Sequence, residues 1–301
     1  MIVKLKNTSA REISGALIEA HRGVGNATGL VLTLVIVTDD SRFDEVLEAA
    51  KASATVHPSR VIVVNYASED ERNLDATVEV GEGLPGDLIV LGVSGELREH
   101  ADSVVLPLLL PDSPTIAWWP HEAPDNLAQD PIGSLADRRI TDAAGCSDPV
   151  AALVRRARNH VPGDTDLTWT RLTRWRALLA ASLDQSQQQV TEAVVTAAPD
   201  NAPAILLAAW LTSRLHVPVT YEQGDGPGVN AVVLRTPDGD ITVRRVAEGS
   251  AIYQVPGQPE RRVALRRRPL TDLLTEELCR LDADDIFEAA AEQIVAESEG
   301  K

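Results

Sequence analysis

Two tryptophans and three arginines fall within eight consecutive residues, Trp169 to Arg176, of the stretch DLTWTRLTRWRALLA. Tryptophan and arginine are the side chains most concentrated in binding hot spots, and arginine also grips carboxylates and phosphates through its planar fork. The stretch therefore fits one of three chemistries. It is an anchor for another protein, a site for a phosphate-bearing ligand, or a helix docked by its indoles with its arginines in water. A second set lies upstream, where Trp118 and Trp119 end the apolar run TIAWWP and Arg138 and Arg139 open RRITDA. Ligands collect at the carboxyl ends of parallel strands, whereas adjacent strand residues that point to opposite faces need only be packing. The candidates for contact with a partner or ligand are thus Trp118, Trp119, Arg138, Arg139, Trp169, Arg171, Arg174 and Trp175.

Conventional catalytic groups are sparse. GEGLPG, Gly81 to Gly86, has the GxGxxG spacing of a dinucleotide loop, yet it contains Pro85 and precedes the strand-like DLIVLGV instead of a helix. That context fits a hairpin turn. VGNATG near Gly25 follows a helical pattern and precedes a strand, the place of a helix C-cap. His21, His57, His100, His121, His160 and His216 have helix-end settings or flank the TIAWWP region, and no GxSxG, HExxH or GxxxxGK[ST] motif accompanies them. Cys146 and Cys279 stand alone, without CxxC or Cys/His metal spacing. No catalytic, cofactor or metal-binding residue is assigned on these grounds.

Charge narrows the partners. With 28 basic and 45 acidic side chains, the net charge of −17 repels nucleic acid and anionic lipid. The runs Arg244-Arg245, Arg261-Arg262 and Arg266 to Arg268 are local exceptions, suited to one face of a sheet or to pairing with Asp272, Glu276, Glu277, Asp282, Asp284 and Asp285. The N-terminus lacks the apolar core of a signal peptide, and LVLTLVIV is too short to span a bilayer, so a cytoplasmic protein without a membrane partner is expected.

The elements that must position these residues are legible from periodicity. SAREISGALIEAH and FDEVLEAAKASATV read as amphipathic helices, and LVLTLVIV, RVIVVNY and DLIVLGV as buried strands. This alternation predicts an α/β N-terminal domain, a mostly parallel, Rossmann-like sheet flanked by helices. HVPGDTD, His160 to Asp166, has the composition of a linker, which divides the chain into residues 1–162 and 163–301. Beyond it, Leu172, Trp175, Leu179 and Leu183 recur at helical spacing, with Asp164 or Asp166 placed to cap them. VTEAVVTAA reads as a strand and NAPAILLAAWLTSRLH as a helix started by Asn201 and Pro203. Short strands from VPVTYEQG to RRVALRR, separated by GDGPG, PDGD and VPGQPE, predict antiparallel hairpins. LTDLLTEELCRLD and DDIFEAAAEQIVAE end an α+β second domain with C-terminal helices.

Taken in order, SVVLPLLLPDSPTIAWWP, DPIGSLADRRITDA, PGDTDLTWTRLTRWRALLAASLDQ and RRRPLTDLLTEELCRLD resemble the OpcA family of glucose-6-phosphate dehydrogenase assembly proteins, of the actinobacterial type. The resemblance runs over nearly the whole chain. It implies a non-catalytic protein that associates with glucose-6-phosphate dehydrogenase and promotes its assembly or activity in the oxidative pentose phosphate pathway. It supplies no catalytic residues and no cofactor, and it leaves a homo-oligomer open. Cyanobacterial members are linked to redox control through cysteines, which here confines any thiol switch to Cys146 and Cys279. A competing class remains: a sugar-phosphate- or nucleotide-binding enzyme or metabolite sensor with its site near Trp119.

Overall fold

The structure, a computed structural model, describes residues 1–24, 29–39, 42–67, 72–81, 86–186, 188–247 and 249–299. The stretches VGNATG and GEGLPG fall largely outside them. In chain order the elements of the first half are β1 (Ile2–Leu5), α1 (Ala10–Val24), β2 (Leu32–Asp39), α2 (Phe43–Val56), β3 (Ser59–Tyr66), β4 (Asn73–Val80), β5 (Asp87–Ser94), α3 (Ala101–Val105), β6 (Thr115–Trp119), β7 (Arg138–Thr141) and α4 (Pro149–Arg158). Then follow β8 (Asp164–Asp166), α5 (Leu167–Arg171), α6 (Thr173–Ser186), β9 (Glu192–Ala197), α7 (Ala202–Leu215), β10 (Val219–Gln223) and β11 (Val229–Arg235). The chain ends with β12 (Ile241–Ala247), β13 (Ser250–Gln254), β14 (Arg261–Ala264), α8 (Leu270–Glu277) and α9 (Asp285–Glu299). Two compact units form, each from separated segments: residues 1–141 with 163–165 and 270–283, and residues 142–162 with 166–269 and 284–301.

The first unit is the expected helix-flanked, mostly parallel sheet, in the order β1-β4-β5-β3-β2-β6-β7-β8. Strands β5, β3, β2, β6 and β7 run parallel to their neighbours, and β4 and β1 add an antiparallel edge. Strand β2 is buried at every position from Leu32 to Thr38, because a central parallel strand is covered on both faces. Helix α1 begins with a reciprocal cap: Ser9 N donates to Glu12 Oε2 at 3.0 Å and Glu12 N to Ser9 Oγ at 3.4 Å. Of the apolar residues Ala10, Ile13, Leu17 and Ile18 expected on its inner face, Ile13 and Leu17 are buried, together with Ala20, whereas Ile18 is exposed. Helix α8, from the far end of the sequence, packs on α2 within this unit.

Two features of the first unit differ from the sequence expectation. Strand β1 has no apolar run to announce it; four residues pair with β4 and only every second one is partly buried. HVPGDTD, read as a linker, contains strand β8. The turn into it relies on Gly163, whose φ of +92° and closeness to Asp137 O, 2.7 Å from where a Cβ would stand, exclude a side chain. Gly163 O then accepts from Arg139 N at 3.0 Å, which holds the segment beside β7.

The second unit is the expected α+β arrangement, with a sheet in the order β10-β9-β11-β12-β13-β14. The antiparallel expectation holds from β9 through β14 but fails for β10, which pairs parallel with β9. The fourteen-residue α7 joins these two strands, and a helical crossover returns the chain in the same direction. As expected, Asn201 caps α7, accepting from Ala204 N at 2.9 Å. The helix ends at His216, whose left-handed φ of 53° makes it the C-cap. The single helix expected after residue 166 is instead α5 and α6, separated at Leu172, whose buried side chain still joins Trp175 and Leu179 in the core.

Candidate functional site

The parallel strands of the first unit define a crevice. From β2 the chain moves outward one way through β3 and β5, and on the other side through β6 and β7, so the direction of winding reverses between β2 and β6. Open α/β sheets bind ligands outside the carboxyl ends of their strands at such a switch point. Here the carboxyl ends of β2 (Val37 to Asp39), β3 (Tyr66) and β6 (Trp119) border a cavity of about 310 Å³. Arg98, His121, Glu122 and Asp130 complete its polar lining.

The chemistry of the crevice follows from its burial. Trp119, 1% exposed, supplies a flat apolar surface. The Arg98 guanidinium lies 4.8 Å from the centre of the Tyr66 ring, a cation–π contact. Burial pushes the Tyr66 hydroxyl up to about 12, with the Asp130 carboxylate adding to the effect, so it stays a neutral hydrogen-bonding group at physiological pH. Burial also raises Asp130, although its Oδ1 accepts from Ile132 N at 2.9 Å and Gly133 N at 3.1 Å. Asp39, Glu122 and Asp130 set against Arg98 and His121 give an acidic, aromatic-lined site suited to a small polar ring more than to several phosphates.

Trp118 and Trp119 themselves are 0% and 1% exposed, on opposite faces of β6. Arg138 and Arg139 lie on the adjoining β7 and are both buried. Arg138 Nη2 pairs with Glu277 Oε1 at 2.8 Å, and its Nη1 donates to Arg280 O and, at 3.0 Å, to Asp282 O. Arg139 pairs with Asp164 and donates from Nη1 to Ala136 O at 2.9 Å. Each arginine clasps a segment from elsewhere in the sequence onto β7, so neither offers its head group to solvent. Of the two proposed caps, Asp164 is taken by this pair and Asp166 caps α5, accepting from Thr168 N at 2.8 Å.

In the second unit Trp169, Trp175 and the arginines around them are held by three separate sets of contacts. Trp169 Nε1 donates to Asp284 Oδ2 at 2.8 Å, and the Arg176 guanidinium stacks 3.4 Å from the Trp169 ring centre. Burial raises Asp284, but the bonds from Trp169 Nε1 and Phe287 N and the nearby Arg176 outweigh it and hold the carboxyl below its ordinary value. Asp284 thereby caps α9. Arg171 Nη2 meets Asp142 Oδ2 at 2.6 Å. Asp142 is pushed up to about 7 by burial, against the pull of Arg171 and aided by the Asp166 charge. Trp175 packs in the core with the Arg245 guanidinium 5.7 Å from its ring centre. Of the eight candidates only Arg174 is exposed, its Nη1 3.4 Å from Arg266 O, while Arg171 is half-buried.

Several of these groups escaped sequence reading. Tyr66 and Asp39 could have been found as strand ends, but Arg98, Asp130 and Asp142 sit in segments with no periodic signal. His57, expected at a helix end, is the C-cap residue of α2, its Nε2 3.1 Å from Thr275 O and 3.4 Å from the exposed Cys279 Sγ. Among the described residues no helix is long and apolar enough to cross a membrane.

Two family models match the chain in order. Residues 50–158 match the glucose-6-phosphate dehydrogenase subunit N-terminal domain of the OpcA assembly family, and residues 162–291 match the corresponding C-terminal domain. The chain is 25% identical over 197 residues to the Putative OxPP cycle protein OpcA of Synechocystis sp., covering 59% of this chain and 41% of that protein, so it spans less than half the relative's length. Among solved structures, a mutant of the 3-ketoreductase KijD10 from Actinomadura kijaniata aligns over 90% of this chain and 96% of its own, with a TM-score of 0.48 and 9% identity. An oxidoreductase from Sinorhizobium meliloti aligns over 90% of this chain and 89% of its own, with a TM-score of 0.41 and 9% identity.

Proposed function

The chain belongs to the OpcA family of glucose-6-phosphate dehydrogenase assembly proteins, and from that premise we propose that it binds glucose-6-phosphate dehydrogenase and assembles or activates it, without catalysis of its own. The observation that carries this reading is the pair of consecutive subunit-domain matches, which together run from residue 50 to residue 291. Such an effector binds the active form of its target more tightly than the inactive or dissociated form, with couplings of about 1–3 kcal/mol. It works in the cytoplasm, beside its pathway, and is of the actinobacterial type. Its acidic surface keeps it from nucleic acid.

Burial narrows the contact candidates. Trp118, Trp119, Arg138, Arg139, Trp169 and Trp175 shape the surface from beneath, and Arg171 is engaged by Asp142, which leaves Arg174 as the member able to reach a partner directly. The test is dehydrogenase activity with and without the purified chain, run beside size-exclusion chromatography of the mixture. Coelution with a rise in activity supports activation, and coelution alone supports assembly. The absence of both coelution and activation refutes the proposal. Arg174→Ala is expected to weaken coelution while leaving the melting temperature unchanged.

A second reading is favoured by one observation, the switch-point crevice. There the chain senses a metabolite of the pathway, held against Trp119 and Tyr66. Titrating tryptophan fluorescence with glucose 6-phosphate, 6-phosphogluconate and NADPH tests it, and a flat response to all three eliminates it.

A further inference from the structure

The sheet of the second unit is packed on one face only. Val195, Val232, Val243 and Tyr253 point inward to the core that contains α6 and α7. The opposite face is exposed or half-exposed at nearly every position, Val194 excepted. Register places Glu222, Thr196, Ala231, Arg244, Ile252 and Arg262 in one row straight across the six strands. The row carries a carboxylate on edge strand β10 and an arginine on edge strand β14, with Thr196, Ala231, Arg244 and Ile252 on the four strands between them. Among the described residues Glu222, Arg244 and Arg262 form no ion pair. The parallel row next to it brings Val194 and Val233 to the middle of the same face.

A surface negative at one edge and positive at the other complements itself under one particular rotation. A half-turn about an axis parallel to the strands, in the plane between two stacked sheets, preserves height along the strands and reverses strand order. Glu222 of each copy then lies over Arg262 of the other, Thr196 over Ile252 and Ala231 over Arg244, with Val194 and Val233 of the next row beside them. A half-turn about an axis across the strands would set Glu222 on Glu222 and Arg262 on Arg262. We infer that this face is the interface of a homodimer whose two sheets stack about a twofold axis parallel to the strands. Stacked sheets of this kind lie about 10 Å apart with strands within roughly 30° of each other. Six strands about 4.8 Å apart, each residue rising about 3.3 Å, cover roughly 500 Å² in projection. The accessible area of such a corrugated face approaches the roughly 800 Å² per partner of a standard interface. A net charge of −17 opposes indiscriminate self-association, so pairing requires local complementarity of this kind.

The test is sedimentation equilibrium of the full chain between about 1 and 100 μM, a range that brackets micromolar affinity. The wild type is expected to dimerise. Val233→Glu, which places a charge at the centre of the face, is expected to leave a monomer with unchanged circular dichroism and the melting temperature of dilute, monomeric wild type. Glu222→Arg and Arg262→Glu each set two like-charge contacts into the dimer and are expected to weaken it about tenfold or more. The double swap restores both contacts and is expected to return the affinity to within about threefold of wild type. A wild type that stays monomeric throughout overturns the inference, as does a dimer indifferent to all four variants or a double swap no tighter than the single ones. If the chain is monomeric and Val233→Glu abolishes coelution with glucose-6-phosphate dehydrogenase, the face belongs to that enzyme and the homodimer is rejected, while the assembly role stands.

Discussion

Strand β3 in the first unit and strand β12 in the second are both β-branched-rich and both lie inside a sheet, yet only β3 has its central residues, Val61 to Val64, buried without interruption. β12 alternates, with Ile241 and Val243 inside and Arg244 in water. The difference comes from connectivity. Parallel neighbours require helical crossovers, and crossovers cover faces; hairpins need none and leave a face bare. The unit with covered faces has a crevice at its strand ends, whereas the other presents a broad, patterned plane. The proposed small-molecule site and the proposed dimer face thus fall on two differently wired sheets.

Substitutions can break this comparison where it is strongest. The largest effect is expected for Glu277→Ala, which leaves Arg138 buried and unpaired in the covered sheet and should destabilise the protein by about 3–5 kcal/mol in chemical denaturation. The same truncation made once in each sheet comes next. Ile62→Ala, at a fully buried site, should cost about 2–5 kcal/mol. Ile252→Ala on the bare face should cost no more than about 1 kcal/mol when measured on the monomer at low concentration. Equal costs would mean that the two sheets are covered alike. Trp169→Phe removes the donor to Asp284 while keeping most of the ring, and a loss of about 1–3 kcal/mol is expected from the unfolding midpoint.

A pH dependence of stability is expected as well. Folded Asp142 titrates at about 7, above its ordinary value of 3.8, so between those values the folded chain binds more protons than the unfolded one. Stability due to this group is therefore complete below about pH 4 and is lost as pH rises toward 7. Melting temperatures measured across that window should fall for the wild type, and Asp142→Asn should remove that part of the decline.

Much of this arrangement was legible. Continuous apolar runs such as LVLTLVIV identified the covered strands, and Asn201 with Pro203 marked the start of α7, because both signals are local. The misreadings arose where distant residues decide. Nothing in IVKL specifies a strand until β4 lies beside it, and Asp164 looks like a cap or linker residue until Arg139 claims it. The candidate site divided in the same way. Strand ends marked Trp119, but hot-spot composition pointed to Arg138 and Arg139 as surface groups when the structure uses them as internal clasps. Residue type alone does not distinguish an arginine that binds a partner from one that binds its own chain.

The clasp on Arg138 also sets a timetable for the newborn protein. Its partners Glu277, Arg280 and Asp282, together with helix α8, are synthesised more than a hundred residues after β7. The first unit, though it begins at the N-terminus, cannot be completed on the ribosome until the second unit's sheet has already emerged. The part of the protein made first is among the last to be finished, and any chain released early carries an unclasped arginine in place of a closed core.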